Sequence, residues 1–598
     1  MKVTEKLAAL RGMMREQGLN AYIVPGADPH ASEYMAAHWM EMSWLSGFKG
    51  ETGTVVVTTD EAFLWTDSRY YLQADIELKD STIGLMRESD IDCPSIPDWL
   101  CANIGQGCFV GVNPEMYSVN AFAGLREQLG AAGIGVKSAD LIAPLWTEDR
   151  PAIPQTPFYE YSAAFAGEDV ASKLGRVREA MRGKGTDAMV VSALDEIAWL
   201  LNIRGRDVEY NPLVISYAVI EQARCTLFVS PEKVPAALPA QWEGMVDVRG
   251  YGDVFDYIRQ LQGTVLFDGA RVNEALYEAI SDGCRKVNAQ SPIMVMKARK
   301  NAVEIEGERI AMREDGIALT RFFRWLEEEA FADGQTQTEC SIADKLHSYR
   351  AMGQHFTDES FGTIAGYKGN GAIVHYAATP ENCATVYPEG MLLLDSGGQY
   401  LDGTTDITRT VWLGGEIPAQ AKRDYTYVLK GHIALQTVRF PRGTRGNQLD
   451  ALAKQYMWAA GITFGHGTGH GVGHFLGCHE GPQNVRTDNN PTILETGHII
   501  SDEPGIYRTG EWGIRTENLI AVVPVASTEV ATTNDQFLGF ETLTLCFYDT
   551  ALIDMSLMTA EEIAWLNAYH ATVYQTIAPY LSTEDAAYLA KKCAPLAL

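Results

Sequence analysis

The chain is short of positive charge. Its 598 residues hold 48 Lys and Arg against 77 Asp and Glu, a formal charge of −29. So acidic a protein repels phosphate, which argues against nucleic acid and anionic membranes as partners. Long apolar runs are missing as well, since no stretch approaches the ~18 residues of a membrane span. The opening Met1-Lys2-Val3-Thr4-Glu5-Lys6 leads into a charged amphipathic pattern without the apolar segment of a secretory signal. None of the ten cysteines forms a CxxC pair, and their dispersal fits reduced thiols in a cytoplasmic protein. No region is poor enough in apolar residues to read as a disordered tail. What remains is an ordinary globular composition, 46% hydrophobic and 21% charged. Its acidic excess solvates the surface and, in part, suits a metal site.

At roughly 150 residues per domain the length predicts three or four domains. An internal repeat organises the first half. Lys6 and Leu7 recur as Lys173 and Leu174, and without a gap Arg11 meets Arg178, Met14 meets Met181 and Gly18 meets Gly185. Each copy reads as an amphipathic helix, a glycine stop and an apolar strand, Ala21–Val24 and Ala188–Val191. Both copies later reach a Trp-Leu pair ahead of a glycine, at Trp44-Leu45 and Trp199-Leu200. Two duplicated α/β domains are therefore expected, at about 1–150 and 155–295, joined by the Pro-rich 150–157. A helical pattern from Ala302 to Leu326 opens a third domain, 300–532, rich in Gly turns and short strands. The tail, 535–598, begins with a strand-like Phe540–Leu545, and its first helix starts at a capping-box spacing, Thr559 to Glu562. The tail holds no catalytic constellation and reads as a structural or dimer-forming appendix. Its Phe540, Leu543, Leu545 and Phe547 have little chain left to cover them, which points to a homodimer.

The chemistry concentrates in five segments of the third domain. An apolar strand, Met391–Leu394, ends in Asp395. Asp406 sits among Thr404, Thr408 and Thr410 in a strand-forming context that normally excludes Asp. Four of the 12 histidines, His466, His470, His474 and His479, fall within one short Gly-rich stretch. The glycines rule out an HExxH helix, and no Gly-x-Gly-x-x-Gly opens a helix there as a phosphate loop requires. Glu503 follows the apolar Ile499-Ile500 in a turn, and Glu517 precedes the apolar strand Leu519–Val523. Singly, each carboxylate is as well explained by surface charge. Jointly, an oxygen-rich set with one imidazole and no thiolate suits two hard divalent cations such as Mn2+, with Zn2+ or Co2+ as alternatives.

In their order and contexts, LLLDSGG, DGTTDITRT, HGTGHGVG, DEPG and RTEN, these segments resemble the pita-bread metallopeptidases, which include methionine aminopeptidase, prolidase and aminopeptidase P. The likeness covers nearly the whole chain and is nearest to the three-domain cytosolic Xaa-Pro aminopeptidases. Ser32–Tyr34, Trp65–Tyr70 and Ala193–Leu200 carry it in the first half, with Ser68 standing where a glycine is usual. The resemblance implies an α/β (α+β) architecture. Two creatinase-like N-terminal domains precede a pita-bread catalytic domain and a small C-terminal appendix. It implies Asp395, Asp406, His470, Glu503 and Glu517 as ligands of two metal ions. It implies substrate contacts at Arg69, His375, His466, His470, His479 and Glu503, with Glu503, His375 and His479 catalytic. It assigns His474 no role, and His347 and His432 read as packed structural residues.

The activity so implied is release of the N-terminal residue from peptides with proline second, through a hydroxide held between the two metals. Prolidase is a near rival, although it cleaves dipeptides and its chain is usually shorter. Creatinase shares the fold but works without metal. A pita-bread domain kept as a binding module would have lost ligands, and here all five positions are filled.

Overall fold

The computed structural model describes residues 1–526 and 536–597. Contacts divide the chain into two compact units, Met1–Ala163 with Glu168–Met294, and Ala164–Gly167 with Val295–Leu598. Among the described residues no helix is long and apolar enough to cross a membrane.

The first unit is the expected duplication. Helix α1 (Val3–Glu16) buries Leu7, Leu10 and Met14, one face at helical spacing, and its first turn is capped by Glu5 accepting from the Lys2 N–H. Strands β1 (Ala21–Pro25), β2 (Thr54–Thr58), β3 (Ala62–Thr66), β4 (Gly84–Arg87), β5 (Phe109–Val112) and β6 (Gly135–Ser138) follow, in sheet order β4-β3-β2-β1-β5-β6. The second copy begins with α2 (Val170–Gly183) and β7 (Ala188–Val191). It continues with β8 (Ser216–Glu221), β9 (Cys225–Val229), β10 (Val246–Arg249), β11 (Thr264–Phe267) and β12 (Arg285–Asn288). Its order is β10-β9-β8-β7-β11-β12, the same topology strand for strand. In each, the strand after the repeat helix pairs antiparallel on one side and parallel on the other. Gly18 and Gly185, the aligned helix stops, both have positive φ, 63° and 66°.

The second unit opens with α3 (Ala302–Glu328), whose first N–H groups bond to the Asn301 side chain. After α4 (Glu339–Arg350) come β13 (Ile364–Tyr367), β14 (Met391–Ser396) and β15 (Ile407–Trp412), an antiparallel sheet in the order β13-β14-β15. All six residues of β14 are buried. Helices α5 (Ala419–Thr437) and α6 (Asp450–Ala459) lead to a second sheet. It contains β16 (Gly469–Gly471), β17 (Glu480–Val485) and β18 (Ile499–Asp502). A hairpin of β19 (Gly505–Arg508) and β20 (Trp512–Arg515) stands apart from it, and β21 (Asn518–Val525) and β22 (Phe537–Thr542) complete it. The pairing order is β22-β21-β18-β16-β17, with the short strand Phe440–Pro441 paired to the outer edge of β22. Helices α7 (Ala560–Ile577) and α8 (Thr583–Lys592) close the chain, with Thr559 and Glu562 capping α7 reciprocally.

The tail differs from the expectation in one respect. Strand β22 pairs with β21 from Ile520↔Thr542 to Val525↔Phe537, so the appendix begins inside the catalytic sheet. The boundary expected at 532–535 lies outside the described residues. Leu543 and Phe547 are buried, and Phe540 and Leu545 pack against core clusters of the same unit. The four apolar residues that argued for a dimer are thus covered by their own chain.

Candidate metal centre

Two strands of one sheet and three segments of the other carry the expected ligands. Asp395 lies opposite Ile364 on β13 and Thr408 on β15, so its side chain is fixed from both sides of β14. Asp406 immediately precedes β15, and Glu517 immediately precedes β21. His470 is the middle residue of β16. The glycines beside it are there for close approach. A Cβ at Gly469 would stand 1.9 Å from the Ser501 carbonyl oxygen, and one at Gly471 would stand 2.2 Å from that of Glu480. Both clashes are with backbone, so larger residues would push β16 off its neighbours on either side.

These segments bring the ligands together. Asp406, His470 and Glu517 each offer a donor atom within 4.8 Å of the others. His470 Nε2 lies 3.4 Å from Asp406 Oδ2 and 3.5 Å from Glu503 Oε1. Thr408 donates to Glu517 Oε2 at 2.7 Å, and Ser501 donates to Glu503 Oε1 at 3.2 Å. Arg515 donates to Asp395 Oδ2 at 2.5 Å, while Asp395 Oδ1 is buried and accepts no hydrogen bond.

Four carboxylates in one place, with Asp395, Asp406 and Glu517 buried and Glu503 part-buried, repel one another. Burial, with the neighbouring acids adding to it, raises Asp395 and holds Glu517 well above the usual range. Burial pushes Glu503 up to about 7, against the pull of His470 and Arg515. Asp406 is the exception: burial is the largest influence and opposes its ionisation, but His470, His479 and the Cys478 thiol together outweigh it and hold this acid below its ordinary value. The cluster therefore calls for added positive charge. Its donors, hard oxygens with one imidazole and an orphaned buried carboxylate oxygen, fit divalent cations.

Other expected residues have definite surroundings. His479 is half-buried, with its ring edge-on to His470 at 4.2 Å between centroids. His466 shares a hydrogen bond with Tyr507 at 2.7 Å and lies 3.9 Å from Glu503. His375 is half-buried in the turn after Lys368–Ala372. The segment around it is held by the carboxylate of Glu339, the first residue of α4. That buried group accepts from the N–H of Tyr367 at 2.8 Å and of Ala384 at 2.7 Å, from the Tyr376 hydroxyl at 2.8 Å, and from the Asn370 amide. Arg69 belongs to the first unit, where it pairs in bidentate fashion with Asp67 at 2.9 and 2.7 Å. His432 is the packed residue expected, between Tyr548 and Asp502; His347 instead sits half-exposed on Glu359.

Three residues escaped sequence reasoning. The ligand set, expected to hold no thiolate, has a thiol beside it: Cys478 is fully buried, and its Sγ donates to Asp406 Oδ2 at 3.2 Å. It groups with Asp406 and His479 as a second possible donor set, and its place beside His479 in the sequence was the available signal. Arg515 was quoted within RTEN without a role; it bonds Asp395 and Tyr507. His474 is buried and paired with Glu308 of α3 at 3.3 Å, and Glu308 also accepts from the Thr404 N–H. His474 thereby ties the histidine loop to the hairpin ahead of Asp406.

Comparison with known proteins gives four matches along the chain. Residues 6–143 and 149–304 each match the creatinase/prolidase N-terminal domain. Residues 306–524 match metallopeptidase family M24, and 536–596 match the C-terminal region of that peptidase. Xaa-Pro aminopeptidase 1 of Dictyostelium discoideum is 38% identical over 597 residues, 97% of this chain and 94% of its own. Aminopeptidase P2 of Arabidopsis thaliana is 38% identical over 617 residues, 97% of this chain and 86% of its own. The crystal structure of X-prolyl aminopeptidase from Caenorhabditis elegans, described as a cytosolic enzyme with a di-nuclear active site, superposes with a TM-score of 0.94. It is 34% identical, and the match covers 100% of both chains.

Proposed function

From a chain that belongs to the Xaa-Pro aminopeptidases of metallopeptidase family M24, with two creatinase-type domains ahead of a pita-bread domain, we infer a metal-dependent exopeptidase. It removes the N-terminal residue from peptides with proline in the second position. The observation that carries this reading is the convergence of Asp395, Asp406, His470, Glu503 and Glu517 on one buried, charge-deficient centre. We assign these five as ligands of two divalent cations. Mn2+ is our first choice because oxygen donors dominate, with Zn2+ or Co2+ as alternatives. When bound, such cations supply Lewis-acid polarisation of the carbonyl and an acidified water.

The protein's own groups do the rest. We assign Glu503, 3.5 Å from His470 Nε2 and bonded to the Ser501 hydroxyl, the role of taking the proton of the attacking water and returning it to the leaving nitrogen. His375 and His479 donate hydrogen bonds to the peptide and the developing oxyanion. His466 is steadied by Tyr507 and supplies an aromatic wall for the proline ring. A bond to proline has no N–H, so no step relies on that donor, and the ring's fixed φ gives a rigid shape to recognise. A cytoplasmic location agrees with the relative described as cytosolic. The homodimer gets no support from the tail, and light scattering at micromolar concentration tests it against the 65.7 kDa monomer.

The deciding assay compares Xaa-Pro-Yaa, Xaa-Ala-Yaa and N-acetylated Xaa-Pro-Yaa peptides, before and after chelation and Mn2+ return. Cleavage of the free proline tripeptide alone, dependent on metal, is expected. Equal kcat/KM for the alanine peptide would sink the proline assignment, and cleavage restricted to an Xaa-Pro dipeptide would favour a prolidase.

A further inference from the structure

The junction that Glu339 organises also brings two thiols together. Gln337 pairs with Val386 and Thr338 with Thr385 as a short antiparallel ladder. The pairing continues one step, through the Glu339 N–H donating to the Ala384 carbonyl at 3.2 Å. Cys340, in the first turn of α4, and Cys383 are the residues that flank this bonded pair, one on each side of the junction. Both are free cysteines, and both are part-exposed, so a small reagent reaches them. The Cys340 thiol is pushed up to about 11, by burial first and then by the neighbouring Cys383 thiol.

We propose that Cys340 and Cys383 are a modification site, closing reversibly into a disulfide that staples the His375 segment to helix α4. The 42 residues between them contain β13, the Lys368–Ala372 turn and His375. With glutathione disulfide as oxidant, one cysteine thiolate attacks a glutathione sulfur, breaks that S–S bond and releases one glutathione thiolate. The second cysteine, as thiolate, attacks the mixed disulfide and releases the other. Two electrons pass from the cysteines to glutathione, and the two thiol protons are taken up by the released thiolates or by solvent. A reducing cytosol keeps the pair open, and an oxidative shift closes it. Closure removes freedom from the unfolded chain and so raises heat resistance. Because Cys340 holds its proton to high pH, closure quickens as pH rises.

The test uses the full chain incubated with glutathione disulfide or with dithiothreitol, read by intact mass, peptide mapping and thermal melting. The expected result is a loss of two hydrogens, a peptide joining Cys340 to Cys383, and a melting temperature higher by about 2 °C or more. Dithiothreitol should reverse all three. Cys340→Ser and Cys383→Ser should keep the reduced enzyme's turnover and show none of these changes. Glutathione adducts without the bridge would overturn the proposal. So would a bridge through any other cysteine, or closure with no gain in melting temperature. None of these readouts depends on the peptide cleaved, so the outcome is separable from the aminopeptidase reading.

Discussion

A buried carboxylate oxygen without a donor, as at Asp395 Oδ1, costs free energy unless positive charge meets it. Asp406 carries the sharpest consequence. Its contacts with Cys478 and His470 share one oxygen, Oδ2, and its backbone joins two strands that need no Asp side chain. Asp406→Ala is expected to fold and to lose turnover by ~10³-fold or more, about 4 kcal/mol on the barrier. Chelated wild-type enzyme should match it. A variant that retains circular dichroism and cleaves at the wild-type rate removes Asp406 from the centre. Cys478→Ser tests the thiol missed by sequence reasoning. A serine still donates to Asp406, so activity should survive within about tenfold.

Elements, rather than single ligands, set where the catalytic groups point. Glu339, at the head of α4, accepts from four residues spread over 367–384, and its own negative charge is favoured at a helix N-terminus. Glu339→Gln puts amide hydrogens against amide hydrogens. We expect kcat to fall about ten- to a hundredfold through misplaced His375, with KM changing less. Loss confined to thermal stability, with kcat intact, would make Glu339 structural only. Strand β15 is tied to the tail by Arg409, whose guanidinium donates to the carbonyls of Glu517, Cys546 and Phe547 and meets the Tyr569 hydroxyl. The appendix is therefore a clamp on the metal-site strands. Arg409→Met strands several buried carbonyls and is expected to cost about 3 kcal/mol or more in urea unfolding. A cost under about 1 kcal/mol would mean that the tail holds β15 by packing alone.

The whole molecule responds to acid through groups far from the centre. His498 is held down to about 3 and His570 to about 4, each by burial first and then by nearby cations. Each accepts a backbone N–H at a ring nitrogen, from Glu495 at 3.2 Å and Tyr548 at 3.1 Å, so each is neutral when folded. A histidine lowered on folding contributes stability above its unfolded value of 6.5, and that contribution is lost as pH falls towards the folded value. Glu41 and Glu274, both raised to about 7 chiefly by burial, act in the opposite sense. The informative quantity is thus the difference between variant and wild type. His570→Gln keeps an acceptor for Tyr548 and should flatten the fall of melting temperature between pH 6.5 and about 4. Parallel curves for the two proteins would show that His570 takes up its proton without unfolding.

The repeat at Lys6 and Lys173 and the strand after each glycine stop could be read in the sequence, because they rest on helical spacing and apolar runs. The five proposed ligand positions rest on resemblance to the family's motifs. Arg515, Glu308 and Glu339 could not be read, because a lone Arg or Glu has no pattern until distant strands and helices bring its partner near, and Cys478 had only its place beside His479 to mark it. The homodimer expected from Phe540, Leu543, Leu545 and Phe547 is a question for light scattering, since long-range contacts that no local pattern shows bury Leu543 and Phe547 and partly bury Phe540 and Leu545. Sequence by itself determined which donor types are available and at what local spacing, because these are properties of the chain. Tertiary structure alone decided which of those residues share one charge-deficient cluster and what holds them there, because burial and proximity exist only once β14, β15, β16 and β21 have packed.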